Sequence, residues 1–443
     1  MSNKTANWPF APKRCPIFYG WPVLAAGTLG VLMSVPGQTM GVSVFTDSLL
    51  GVLAMSRTQL SIAYMAGTVA SAVLLPYAGR VYDRLGARTA AAAASLSLAA
   101  VLLLLSRADV LVNGIALASG VNETFCAFLV MLPLFFALRL CGQGILTLAS
   151  LNMVAKWFER RRGMAFGISG VFTALGLSSA PMALDSMIGV LGWRGAWMAM
   201  AAILAMFFMP LALALYRDNP EACELLPDGR SKLGGNGSDA SGPEPCKCLR
   251  EVRRTAVFWV FSLSLALSAL YMTGLTFHIV SVFETAGMTR TNAVSVFLPM
   301  SAVAVTVHLS AGWLSDRMAL TYLLGLMLFG LGVSMMALIL LAPGWPVALL
   351  IAGNGLSQGL FALLSAVTWA KLFGRTHLGA ISGFNMSIVV FHSALGPILF
   401  SQSLSWAGSY SGAGIVGLVC ACVLLIGTFW VHSAYRIDSR FRG

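Results

Sequence analysis

One permanently charged side chain lies deep inside an apolar run of this sequence. It is Arg139, in the stretch RLCGQG at 139–144, with the amide of Gln143 one helical turn further on. Buried charge is costly unless it is paired or hydrogen-bonded, so the residue has two readings. It is either a strut tied to neighbouring backbone carbonyls or a cation that pairs with an anion. No Asp or Glu lies in the middle of an apolar run, since Asp47, Asp185 and Glu284 stand near run ends. That disfavours a cation site and a carboxylate proton relay, and it favours an anionic or zwitterionic ligand. The other titratable candidates are His278, His308 and His392, whose imidazoles change charge near neutral pH. A lone His on an apolar helix is more often a packing residue. No i, i+3 or i, i+4 pair exists among the three, so no metal or cofactor is expected.

The elements that hold these residues follow from composition. Of 443 residues, 58% are hydrophobic and 10% charged, and the mean hydropathy is +0.82. Soluble domains carry roughly 25% charged residues, and a helix needs about 20 apolar residues to cross a bilayer core. Twelve runs meet that length, at 18–45, 58–80, 89–106, 125–155, 163–188, 193–216, 256–283, 291–313, 319–342, 346–372, 378–403 and 408–432. They are called spans 1 to 12 below. The fold class expected is all-α integral membrane, with span 1 retained rather than cleaved as a signal peptide.

The net charge of +12 is a topology signal. Assigning alternate loops to one side gathers 23 of the 28 Lys and Arg there, with the termini. By the positive-inside rule both termini are cytoplasmic, in an inner or plasma membrane, and no nucleic-acid partner is implied. Arg139 then sits in the outer half of span 4, roughly 25 Å from the cytoplasmic end marked by Lys156. The eight cysteines suggest no disulfide framework, and Cys246-Lys-Cys248 is a weak metal pattern.

A polar, Gly- and Pro-rich segment at 217–254 divides a half at 1–216 from a half at 255–443 and reads as a flexible linker. The halves repeat. SRTQ (56–59) matches TRTN (289–292), GRVYDR (79–84) matches GWLSDR (312–317), VSVF recurs at 42–45 and 280–283, and KWFER (156–160) matches KLFGR (371–375). Aligned on Lys156 and Lys371, Arg139 falls opposite Asn354 and Gln143 opposite Gln358. The first half carries an extra external segment near 107–124, which holds a glycosylation sequon at Asn122. Repeats of six helices are a transporter architecture with substrate bound near the midplane.

GRVYDRLGAR (79–88) resembles the loop 2–3 signature of the major facilitator superfamily, G-x-L-A-D-R-x-G-R-R/K. Gly79, Asp83, Arg84, Gly86 and Arg88 match, and Val81, Tyr82 and Ala87 depart. KWFERRRGMAFGISG (156–170) and GWRGAW (192–197) are similar to the family's loop 4–5 and its start of helix 6. The resemblance implies two pseudo-symmetric six-helix halves and alternating access. It also implies a gating latch built from Gly79, Asp83 and Arg84 and from Gly312, Asp316 and Arg317, each carboxylate meeting the positive N-terminus of a helix from the other half.

YGW (19–21), RLCGQG and the single long loop after span 6 resemble the monocarboxylate and oxalate/formate branch. That branch carries a substrate-binding Arg in span 8, four residues before the loop glycine. His308 occupies that position here, and the Asp often found one turn earlier is replaced by Ala304.

Spans 1, 4, 7 and 10 line the cavity in the superfamily. Expected substrate-binding residues are therefore Gln38, Thr39, Arg139, Gln143, Tyr271, His278, Asn354 and Gln358, with His308 and His392 from spans 8 and 11. SVPGQTMG (34–41) interrupts span 1, and alignment through VSVF sets Pro36 opposite Gly274, so a matching interruption is expected in span 7. The expected protein is a monomeric secondary carrier of a small organic anion, in contact with lipid and with a coupling proton as a candidate partner. An exporter of amphipathic or drug-like compounds is the alternative, and a transporter-like sensor a lesser one. No nucleophile–base arrangement or P-loop points to an enzyme.

Overall fold

The computed structural model of the chain describes residues 8–228 and 247–440. The run 229–246, with just under half of the linker and Cys246, lies outside them. Among the described residues the protein is helical throughout. Among the described residues nine helices are long and apolar enough to cross a membrane. Two of them hold a pair of spans each: Arg57–Leu105 turns at Gly86, and Arg162–Leu215 turns at Gly192. Span 1 is cut short by its interruption and is counted apart. These assignments account for all twelve spans.

At Gly86 φ is +83°, a region open to glycine, and a Cβ there would strike the Asp218 carboxylate at 2.3 Å. The repeated SRTQ and TRTN motifs are helix starts. Ser56 Oγ accepts from the Gln59 amide while the Gln59 side chain accepts from the Ser56 amide, a capping box opening span 2. In the second half the Asn292 amide donates to Thr289 Oγ1 in the same spacing.

The interruption of span 1 is real. Helix Gly20–Met33 stops, a 3₁₀ turn covers Val35–Gly37, Gln38 is extended at φ −86° and ψ 155°, and Thr39–Ser43 resumes. Proline removes a donor and glycine tolerates the bend. The break lies against span 4, which relaxes into a π-helix over Leu140–Leu146, directly after Arg139. Gly37 and Gly142 touch backbone to backbone, and a Cβ on either would sit 2.7 Å from the other's Cα.

Span 7 corrects the expectation of a matching interruption, because Ala256–Thr285 is one unbroken helix. Gly274 serves close helix packing instead: a Cβ there would lie 2.8 Å from the Gly396 carbonyl of span 11 and 2.5 Å from Phe400. The extra segment near 107–124 forms a helix, Ala108–Ser119, and Asp109 pairs with Arg194. Asn122, exposed in the sequon, caps Glu123–Arg139 by accepting from the Thr124 amide at 2.8 Å.

Contacts divide the chain into two units. The first comprises Met1–Arg160, Phe172–Cys246 and Gly374–Ser387, and the second Arg161–Val171, Lys247–Phe373 and Ile388–Gly443. Spans 5 and 11 are therefore shared, each starting in the unit opposite to the one that holds its remainder.

Candidate functional site

In the first unit Arg139 is 5% exposed. Its Nη1 donates to the Gly37 carbonyl at 3.0 Å and to Thr39 Oγ1 at 3.3 Å. The break in span 1 thus supplies the carbonyl that holds the guanidinium. Tyr64, from span 2, lies under Cζ at 5.4 Å and donates its hydroxyl to Thr39 Oγ1 at 3.0 Å. Arg139 Nε is buried without a partner, and among the described residues no carboxylate pairs with this arginine. The Gly37 carbonyl and the Thr39 hydroxyl satisfy part of its hydrogen bonding and none of its charge. Gln38 donates to Ser34 Oγ at 3.0 Å, and Gln143 is half-buried in the π-helix.

The second unit holds the remaining expected residues. Tyr271, 2% exposed, gives its hydroxyl to the Ser334 carbonyl at 3.0 Å and packs on Phe400. Its ring and its hydroxyl are engaged with spans 9 and 11. His278 Nε2 donates to the Pro397 carbonyl at 3.1 Å, also beside Phe400. His392 bonds within its own helix, Nδ1 to the Ile388 carbonyl at 2.8 Å. Asn354 is buried with both side-chain polar atoms unpartnered, and Gln358 is half-buried. His308, 7% exposed, meets a carbonyl at each ring nitrogen: Gly359 at 3.1 Å from Nδ1 and Phe166 at 2.9 Å from Nε2.

The repeated G-x-x-x-D motifs build two matching contacts. Asp83 Oδ1 and Oδ2 accept from the Gly379 and Ala380 amides at 2.8 Å each, at the start of Leu378–Ala407 within the first unit. Asp316 Oδ1 and Oδ2 accept from Gly163 and Met164 at 2.8 and 3.0 Å, at the start of Arg162–Ala202 within the second. First-turn amides have no intrahelical acceptor and carry the positive end of the helix dipole, so a carboxylate suits them. Four residues before each Asp, the glycine lets backbones meet. A Cβ on Gly79 would lie 2.0 Å from the Gly379 oxygen, and one on Gly312 2.7 Å from the Gly163 oxygen.

Arg84 is exposed with no hydrogen bond or ion pair among the described residues, and Arg317 folds over the Trp313 ring at 3.5 Å. Neither arginine joins its aspartate. The repeat-related lysines lie near both carboxylates. Lys371 donates to Asp316 at 3.1 Å, and Lys156 sits 4.9 Å over the Tyr82 ring, where its charge is felt by Asp83. Burial raises the Asp83 carboxyl above its ordinary range, against the pull of the two amides and Lys156, and burial lowers Lys156. KWFER and KLFGR were visible signals for these lysines. The amide donors lie seven to nine residues beyond these lysines.

A break-and-anchor pair in span 1 and span 4, and two aspartate-capped helix starts related by an internal repeat, define a multi-pass helical carrier fold. The family model described as Major Facilitator Superfamily matches residues 24–397. The chain belongs to the major facilitator superfamily. Mouse monocarboxylate transporter 11 is 28% identical over 339 residues, covering 73% of this chain and 71% of that one. Human monocarboxylate transporter 12 is 21% identical over 299 residues, covering 62% and 58%. The proton:xylose symporter XylE matches with a TM-score of 0.67 at 16% identity, over 94% of this chain and 95% of that one. The human organic anion transporter MFSD10 matches at 0.64 and 14%, over 94% and 99%.

Proposed function

We propose that this protein is a monomeric secondary carrier that moves a small organic anion, monocarboxylates first, by alternating access, with both termini cytoplasmic. The observation that carries the reading is Arg139, a buried guanidinium with no counterion among the described residues. An uncompensated buried charge costs several kcal/mol, and an anionic substrate offsets that cost each time it binds. The names of the two relatives support the same class. The Asp83 and Asp316 contacts act as latches: because they are made in one state, they bias the carrier toward it. Counterflow in proteoliposomes with labelled carboxylates tests the reading. Exchange of at least one carboxylate is expected. Movement of lipophilic compounds without any carboxylate would replace the reading with the amphipathic exporter.

His308 is the candidate group for a coupling proton. Carbonyls only accept, and a neutral imidazole has one N–H. Two carbonyl partners are both satisfied only when both ring nitrogens bear hydrogen. The charged groups on the three elements around it are Arg162, one turn before Phe166, Asp316, two turns beyond His308, and Lys371, three turns beyond Gly359. The ring nitrogens meet the two carbonyls and none of these charged groups. In His308→Gln, uptake driven by an inward proton gradient should fall about tenfold, the worth of a charge-assisted bond, while anion-for-anion exchange persists. Gradient-driven uptake equal to that of the unmodified protein would remove His308 from coupling.

A further inference from the structure

The hydroxyl of Thr39 is surrounded in a way that fixes what its own hydrogen can do. A hydroxyl offers one donor and two acceptor lone pairs. Thr39 Oγ1 accepts from Tyr64 O–H at 3.0 Å and from Arg139 Nη1 at 3.3 Å, so both lone pairs are taken. Its remaining O–H has only donation left, and Thr39 is exposed. Beside it Nη1 of the guanidinium bonds Gly37 and Thr39, and Nε is buried without a partner. The Tyr64 ring is held edge-on by Phe135 at 5.3 Å, which fixes the direction from which its hydroxyl approaches.

We propose that Thr39, aimed by Tyr64, donates its hydroxyl hydrogen to the carboxylate of the substrate while Arg139 supplies the charge, so that the three residues together read a carboxylate group. This rests on the anion reading of Arg139 and adds two things to it: a neutral donor that contacts the substrate, and a positioning residue on span 2. Tyr64 acts through Thr39 rather than on the anion. Its hydroxyl fills the lone pair that would otherwise let Thr39 turn and accept. The arrangement favours an acceptor-only, planar group over an amide, whose N–H would face the donor of Thr39 and the cation of Arg139. Carboxylates are therefore taken over their isosteric amides.

The test is steady-state exchange in proteoliposomes with a carboxylate that the unmodified protein transports, using Thr39→Val, Thr39→Ser, Tyr64→Phe and Arg139→Gln. Thr39→Val removes the donor at nearly constant volume. It should raise KM about tenfold and leave kcat within about twofold, the loss of one charge-assisted bond. Thr39→Ser keeps the donor and should restore KM. Tyr64→Phe keeps the ring and should raise KM about threefold, with partial loss of the preference for acid over amide. KM unchanged in Thr39→Val while Arg139→Gln abolishes exchange would overturn the role of Thr39 and leave the anion reading standing. Full exchange in Arg139→Gln would overturn that reading itself. If Thr39→Val and Thr39→Ser fail alike, the loss is structural and the donor role is rejected.

Discussion

Replacing Arg139 by glutamine is expected to abolish carboxylate exchange while leaving the protein folded. The side chain has two separable duties. One is structural: Nη1 satisfies the Gly37 carbonyl that the break in span 1 leaves without a helical donor. A glutamine amide can still donate to that oxygen. The other duty is electrostatic, and glutamine cannot perform it. Removing one member of a buried charge pair costs about 3–5 kcal/mol, on the order of a hundredfold to several thousandfold in affinity. Arg139→Lys should recover only part of this, since an ammonium lacks the planar fork that holds two acceptors at once. Exchange assays together with a thermal-unfolding midpoint check the prediction. A midpoint near that of the unmodified protein with exchange gone supports it, and exchange retained for every anion contradicts it.

The second large effect is expected at Gly79. A valine there would push a Cβ to within 2.0 Å of the Gly379 carbonyl oxygen. That atom belongs to backbone, so no side-chain rotation relieves the clash. The start of span 11 must move away, and the Asp83 carboxylate then loses its bonds to the Gly379 and Ala380 amides. Bonds of this charged kind are worth about 1.5–3 kcal/mol each. Losing both shifts a two-state equilibrium by on the order of a hundredfold or more. Turnover should fall at least about tenfold, and a cysteine at Ala380 should become more reactive to a soluble thiol reagent in the Gly79→Val background. Gly312→Val should act in the same direction more weakly, since its nearest backbone atom is 2.7 Å away rather than 2.0 Å. Unchanged turnover and unchanged labelling would show that the contact is ornamental.

Much of this was legible in the residues. The spans, the repeat and the family followed from apolar run lengths, loop charge and motif spacing. The S-x-x-Q and T-x-x-N repeats carry a capping pattern, and G-x-x-x-D places glycine and carboxylate on one helix face. Pro36 and Gly37 announced the break in span 1. What remained hidden was set by packing between elements distant in sequence. Tyr64 is an ordinary aromatic within SIAYMAG, and nothing local shows that it meets Thr39 and Arg139. Gly274 has the residue type for a bend but is spent on close contact with Gly396. Tyr271 and His278 share a face as their spacing requires, yet that face packs against Phe400. Arg84 and Arg317 follow their aspartates in the motif, but the carboxylates take amides, with lysines nearby, and leave both arginines outside.

The central claim is that a carboxylate is read by the charge of Arg139 and the hydroxyl of Thr39. Competition between isosteres tests it most directly. In proteoliposomes loaded with a transported carboxylate, counterflow of the labelled acid is measured against rising concentrations of the unlabelled acid and of its primary amide. The two competitors match in size and shape and differ in charge and in hydrogen-bond direction. The account predicts that the acid competes and that the amide does so at least about a hundredfold less well. Equal competition by the amide would contradict it.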